Sequence, residues 1–337
     1  MAQTKIADLI KHDEFAQYFA QAMLDRSTLF KSGIAVPDPA IAERCNAAGA
    51  GGDFVHLPFF NELGNGGSYE AERMVEEQAA TPDKITAGKD VAVICNRIKA
   101  FGSTDIAAFQ SGADPMKAIA EGLVDWWNKE HNVRLIATIN GALGAMTGAN
   151  THTLDISAED GTARILTGDA MLDAAQLLGD QKTALTAYAM SSASETHLQK
   201  LEGTQLFKPS ETPAFLKTYN GRAVIIDDNI PNGVVFIFAA GAVAFNECPY
   251  APDTPKFEPY REELKSQGGI VTRDRSIIHV RGVKWNKTDT NPANAKTGTA
   301  GQTGYVPGLS DSGNWALAYP AKAVRVAKLV ASLTPGS

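Results

Sequence analysis

At 337 residues, 44% apolar and 20% charged, the chain is too long for one small core and too apolar to be disordered, so two or three lobes are expected. Its formal charge of −7 excludes tight nucleic-acid binding through a broad basic surface. No apolar run is long enough to span a bilayer, so no membrane role is read. Residues 1–21 carry Lys5, Asp8, Lys11, Asp13 and Glu14, which is too much charge for a signal peptide, so a cytoplasm-like compartment is expected. The three cysteines, Cys45, Cys95 and Cys248, lie far apart in sequence and match no zinc spacing; they read as buried thiols.

In chain order, 1–30 reads as a short helical arm with Ile6, Leu9, Ile10, Phe15, Phe19, Met23 and Leu24 on it. A small helix is expected over 40–48, followed by Gly49-Ala50-Gly51-Gly52. With no strand before it and no Lys-Ser/Thr after it, that cluster is a flexible joint rather than a phosphate loop. Residues 53–60 alternate as a strand, 61–83 are polar and acidic, and 85–100 alternate again. Two strands joined by a long polar tip predict a projecting β-arm. A lone hairpin is marginal in water, so its partner is expected to be another subunit.

The longest helix is predicted over 114–143, with Asp114 as cap, Pro115 in the first turn, and Gly141, Gly144 and Gly148 as places to stop. At ~1.5 Å per residue it would be about 40 Å long. Ile119, Leu123, Trp126, Val133 and Ile136 line one side and Met116, Ala120, Trp127, Leu135 and Ile139 another, so it is expected to be covered around much of its circumference.

Short strands and turns are expected over 151–166, a helix over 169–178, a buried strand over 184–190, and a helix over 194–202 carrying His197. Ser191, Ser192 and His197 lack a Gly-x-Ser-x-Gly elbow and an orienting acid, so hydrolase chemistry is not read there. A strand over 223–226 ends at Asp227-Asp228, which reads as a solvated strand end because no further ligand follows at metal spacing. The most apolar stretch, 234–245, suits a buried hairpin turned at Gly241, and 246–269 reads as loop. Residues 270–285 read as a strand pair with Ile277, Ile278 and Val280 inside, Arg273, Asp274 and Arg275 outside, and His279 as a structural histidine. A long loop over 286–314 precedes a return to strand at 315–333.

Six phrases in this order carry a resemblance: GGDFVHLPFFNEL (51–63), GADPMKAIAEGLVDWWNKEHNVRLIATINGAL (112–143), DAAQLLGDQKTALTAYAMSS (173–192), YNGRAVIIDDNIP (219–231), TRDRSIIHVRGVKW (272–285) and NWALAYPAKAVRV (314–326). Together they resemble the major capsid (coat) proteins of tailed phages with the Hong Kong 97-like fold. The resemblance implies an α+β protein with an N-terminal arm over 1–52 and an extended loop, a β-hairpin, over 53–102. It further implies a peripheral domain over 103–184 that includes the spine helix 114–143, an axial domain over 185–255, and a return to the peripheral domain over 256–337. The implied function is self-assembly through pentamers and hexamers into the icosahedral head enclosing a double-stranded DNA genome. Implied partners are copies of the chain, a portal, a decoration protein and non-specifically held DNA on the inner face. About fifty residues before the first strand are too few for a cleavable scaffolding segment, so a separate scaffolding protein is expected. No catalytic residue, cofactor or metal is implied. Lys84 and Lys89 are candidates for the isopeptide cross-link of some members, but no motif marks an asparagine partner and the bond is not predicted. Two alternatives stand beside this reading: an encapsulin-like compartment, and an α+β enzyme built on Asp227, Asp228 and His197.

Overall fold

A computed structural model describes residues 28–47, 54–63, 73–74, 79, 84–111, 115–161, 163–202, 217–219, 221–249, 255–287 and 307–334. Most of the expected helical arm, the glycine joint, most of the polar hairpin tip and the loop over 288–306 lie outside the described residues.

The described chain opens with α1 (Thr28–Lys31), β1 (Ala35–Val36) and α2 (Pro39–Ala47). Pro39 occupies the first turn of α2, where no N–H is needed, and Asp38 Oδ1 accepts from Ala40 N at 2.9 Å. Strands β2 (Phe54–Phe60) and β3 (Ala87–Val93) form a hairpin, in register from Phe54 opposite Val93 to Phe60 opposite Ala87; its second strand, expected over 85–100, ends at Val93, and 95–100 belong to a strand of another sheet. After Ile94 the chain enters β4 (Cys95–Thr104), then α3 (Asp105–Ser111) and the long helix α4 (Pro115–Gly144).

The cover on α4 is uneven. Its C-terminal half is buried on nearly every side, from His131 to Leu143, whereas in the N-terminal half Leu123 and Trp127 are buried and Val124 is exposed. Gly141 marks the closest approach: a Cβ there would collide with the Leu309 carbonyl oxygen and the Trp315 indole.

Beyond α4 come β5 (Thr153–Asp155), α5 (Gly168–Gln176), β6 (Ala187–Met190), α6 (Ser192–Glu202), β7 (Lys217–Tyr219), β8 (Arg222–Ile226) and β9 (Val234–Phe238). The chain closes with β10 (Val243–Glu247), β11 (Phe257–Glu262), β12 (Gln267–Val280), β13 (Val283–Trp285), α7 (Pro307–Ser310), β14 (Trp315–Leu317) and β15 (Val326–Val330). Two larger sheets result. One runs β5-β15-β9-β6-β8-β7; the other runs β1-β10-β12-β11, with β4 lying along the free side of β12. The 14-residue β12 is the axis of the second sheet, flanked by β4 on one side and by β11 and then β10 on the other.

Four further expectations are corrected by the sheet topology and the cysteines. The apolar stretch 234–245 is not a hairpin: Gly241, at φ +69°, turns the chain so that β9 and β10 enter different sheets. The run is unbroken because β9 is covered on both faces; Val234, Phe236 and Phe238 enter one core cluster, Val235 and Ile237 another. The supposed loop 246–269 contains β11, whose Pro259 is tolerated because the strand lies at a sheet edge. The segment 270–285 is not a paired hairpin. It is mostly the single strand β12; Gly282, at φ +90°, then redirects the chain so that β13 pairs with β14. The cysteine reading holds only for buried Cys95; Cys45 and Cys248, 203 positions apart, are joined in a disulfide with a Cα–Cα distance of 5.3 Å.

Candidate assembly elements and buried ionic couplings

The hairpin divides into a buried root and an exposed outer end. On β3, Asp90 to Val93 are buried and Ala87 to Lys89 are not; on β2, Val55 and Leu57 are buried while Phe60 is 75% exposed. Ile85, just beyond β3, is 54% exposed, so two apolar side chains stand in solvent near the outer end. Lys84 and Lys89 are also exposed there.

Asp90 clamps the root. Its Oδ2 accepts from His279 Nε2 at 3.0 Å and from Gly282 N at 3.1 Å, which fastens β3 to the end of β12 and the turn after it. Burial opposes ionisation of this carboxyl, but the His279 charge and hydrogen bond, the Gly282 N–H and Arg281 together hold its pKa below the usual carboxylate range. Phe59 adds an edge contact with Tyr319, ring centroids 4.5 Å apart. His279 is thus structural, as expected, but it is the partner of an acid 189 positions away.

A second coupling joins α4 to β12. Arg134 Nη2 lies 2.6 Å from Asp274 Oδ2, and Arg134 Nε lies 2.8 Å from Glu130 Oε2. His131 Nε2 lies 3.2 Å from Asp274 Oδ1, and Ser276 Oγ donates to Asp274 Oδ2 at 2.6 Å. Asp274 is therefore buried, which corrects its placement outside with Arg273 and Arg275: alternation sets it on the other face of β12, with buried Thr272 and Ser276, toward its partners on the helix. Burial alone would raise its pKa; the His131 hydrogen bond and the Arg134 charge hold it far below the usual range. Glu130, His131 and Asp274 place ligand atoms within 4.8 Å of one another, a spacing that suits a metal. The Arg134 guanidinium already donates to Asp274 and forms an ion pair with Glu130, so the positive charge there comes from the protein itself.

The residues of the enzyme alternative are engaged elsewhere. Asp227 is buried, which corrects the solvated-strand-end reading. Its Oδ2 accepts from Leu29 N at 3.0 Å and Asn132 Nδ2 at 2.9 Å, and its Oδ1 from Asn229 N at 3.0 Å and Nδ2 at 2.7 Å. Asp228 Oδ1 accepts from Ser192 N at 2.8 Å at the start of α6. Ser191 Oγ bonds Asn232 Oδ1 at 2.9 Å and Ser194 Oγ at 3.0 Å, while His197 lines a shallow surface hollow with Thr196, Lys200 and Leu333. The aspartates fix loops and a helix end, and the serine's polar contacts are not with a histidine. Sequence reading passed over Arg134 and Asp90; for Arg134 the available signal was a charge within an otherwise apolar half of a helix, whereas Asp90 falls on the polar face of the alternation and carries none.

The geometry agrees with the comparisons to known proteins. The family model Gp13-like, described as major capsid protein 13-like, matches residues 40–302. The chain is 32% identical over 336 residues to the major capsid protein of Bacillus phage SPP1, with 97% of each chain covered. Among solved structures it resembles the capsid of Ralstonia phage GP4, with TM-score 0.54 and 11% identity over 83% of this chain and 94% of that one. A chain from Mycobacterium phage Bobi gives TM-score 0.53 and 12% identity over 100% of both. The Cyanophage Pam1 capsid gives 0.52 and 14% over 83% and 94%. At these identities the structures show the shared α+β, Hong Kong 97-like capsid fold, and the sequence relationships show the family. The chain belongs to the Gp13-like family of phage major capsid proteins.

Proposed function

We propose that this capsid protein assembles in the host cytoplasm, through pentamers and hexamers, into the icosahedral head of a tailed double-stranded DNA phage. The observation that carries the reading is the hairpin β2–β3: its root is clamped by Asp90, and at its outer end Phe60 and Ile85 are 75% and 54% exposed. Exposed apolar side chains held on an anchored strand pair gain free energy when a neighbouring copy buries them. In this reading the hairpin is the extended loop over 53–102. Helix α4 is the spine of a peripheral domain over 103–184 and 256–337, and 185–255 forms the axial domain that meets its copies at the symmetry axes. Those axial residues contribute β6 to β9 to the six-stranded sheet, which β5 and β15 complete.

A separate scaffolding protein shapes the growing shell, a portal occupies one vertex, and a decoration protein has the outer face available. The net charge of −7 supports loose, non-specific contact with packaged DNA. The protein's role is structural, without catalysis or a cofactor. The test is the double variant Phe60→Lys and Ile85→Lys, co-expressed with the neighbouring phage genes. Folded subunits that sediment as unassembled capsomers or monomers are expected. Shell yields equal to wild type would overturn the assignment of the hairpin as an assembly element.

A further inference from the structure

We propose that Cys45 and Cys248 form a covalent latch that is open while the shell assembles and closes after release from the host. The inference rests on assembly in the cytoplasm as read above, where thiols are kept reduced. The pair lies in a small core cluster that joins three parts of the molecule. Ile41 and Cys45 come from α2; Val55, Leu57, Ala92 and Ile94 come from the hairpin root; and Ala244, Cys248 and Ile277 come from β10, its end and β12.

This cluster is held in place without the sulfur bond. Asp38 pairs with Arg281, its N–H donates to Asn246 Oδ1 at 3.1 Å, and Asn246 Nδ2 donates back to Asp38 O at 3.2 Å. Arg44 Nη1 donates to the His56 carbonyl on β2. With these contacts in place the thiols pack as small apolar groups at 0% and 5% exposure, and their Cα atoms stand 5.3 Å apart, within the range a disulfide requires. The subunit is therefore competent to fold and assemble with both thiols reduced. Closing the bond then fixes α2, and through it the hairpin strand that follows, to the sheet containing β10 and β12.

The oxidant is a small-molecule disulfide such as oxidised glutathione, admitted by local opening of α2. The Cys248 thiolate displaces one thiolate from it and forms a mixed disulfide. The deprotonated Cys45 sulfur then attacks Cys248 Sγ and expels the second thiolate. Two cysteine protons go to the two departing thiolates, the protein loses two electrons, and the small disulfide is reduced to two thiols.

The test counts thiols on the full chain. Cells are lysed directly into denaturant with N-ethylmaleimide, and the intact mass is compared with that of native protein exposed to oxidised glutathione before the same treatment. Three alkylated cysteines at lysis and one, Cys95, after oxidation are expected. Oxidised wild-type shells should also resist thermal disruption better than reduced ones by on the order of 5 °C, and the Cys45→Ser, Cys248→Ser double variant should assemble but show no such gain. One alkylated cysteine at lysis, or three after oxidation, would overturn the latch. Thiol counts read the same on dispersed subunits, so shells seen or not seen by microscopy judge the assembly reading separately.

Discussion

Asp274→Asn removes one negative charge from the network between α4 and β12 while keeping the side chain's size. The buried Arg134 guanidinium loses a charge-assisted partner at 2.6 Å, and His131 loses the carboxylate 3.2 Å from its Nε2. Breaking a buried ion pair by removing one partner costs roughly 3–5 kcal/mol. Glu130 stays 2.8 Å from Arg134 and is itself 17% exposed, so the lower end, about 3 kcal/mol, is expected. Against a total of roughly 5–15 kcal/mol for a domain, that is a large share. Chemical denaturation of dispersed subunits, with the midpoint and slope compared between variants, measures it. Asp105→Asn is the control: its bridge to Arg261 is exposed on both sides, and a change within about 0.5 kcal/mol is expected. Replacing the pair together, Arg134→Met with Asp274→Leu, should recover much of the loss, because neither charge is then stranded. An Asp274→Asn variant as stable as Asp105→Asn would refute the claim that this network fastens helix to sheet.

Acid should weaken the fold through the same carboxylates. Asp274 and Asp90 have folded pKa values below their unfolded ones, so their stabilisation is present above about pH 4 and is lost as pH falls through the folded values; Asp274→Asn should flatten the acid limb of a stability–pH curve. Two glycines of α4 should respond oppositely to alanine. At Gly122 nothing lies near an added Cβ, so helix propensity should stabilise by up to about 1 kcal/mol, whereas at Gly141 the collision with Leu309 and Trp315 should destabilise by about 1–3 kcal/mol, both read as melting shifts. Shortening the hairpin by deleting 64–83 should leave subunits folded by circular dichroism yet poor at forming shells, since the clamp at Asp90 and the root of β3 remain.

Local signals carried much of the architecture. Helix α4 was legible to within a residue at either end because Pro115 opens it and a long apolar pattern sustains it. The first hairpin strand was legible because Phe54–Phe60 alternates; the extent of the second was not, because Asp90 to Val93 are all buried and the pattern read over 85–100 runs on into β4, which pairs with β12. What was not legible depends on partners distant in sequence. Asp274 reads as outside because it lies between two arginines, although alternation sets it on the face of Thr272 and Ser276; the partner that satisfies it there, Arg134, is 140 positions earlier. The apolar run 234–245 looks identical whether it closes a hairpin or passes between two sheets, since β9 is buried on both faces either way. Cys45 and Cys248 carry no spacing signal at a separation of 203. Asp227 resembled a solvated strand end because its donors, Leu29 and Asn132, come from elements far back in the chain.

Electron microscopy of the purified protein, expressed alone and with its neighbouring genes, tests the central claim most directly. Closed icosahedral shells of tens of nanometres, or rings of five and six subunits, are predicted, with the hairpin of one copy lying on the next. A uniform monomer or dimer under every condition would contradict the account.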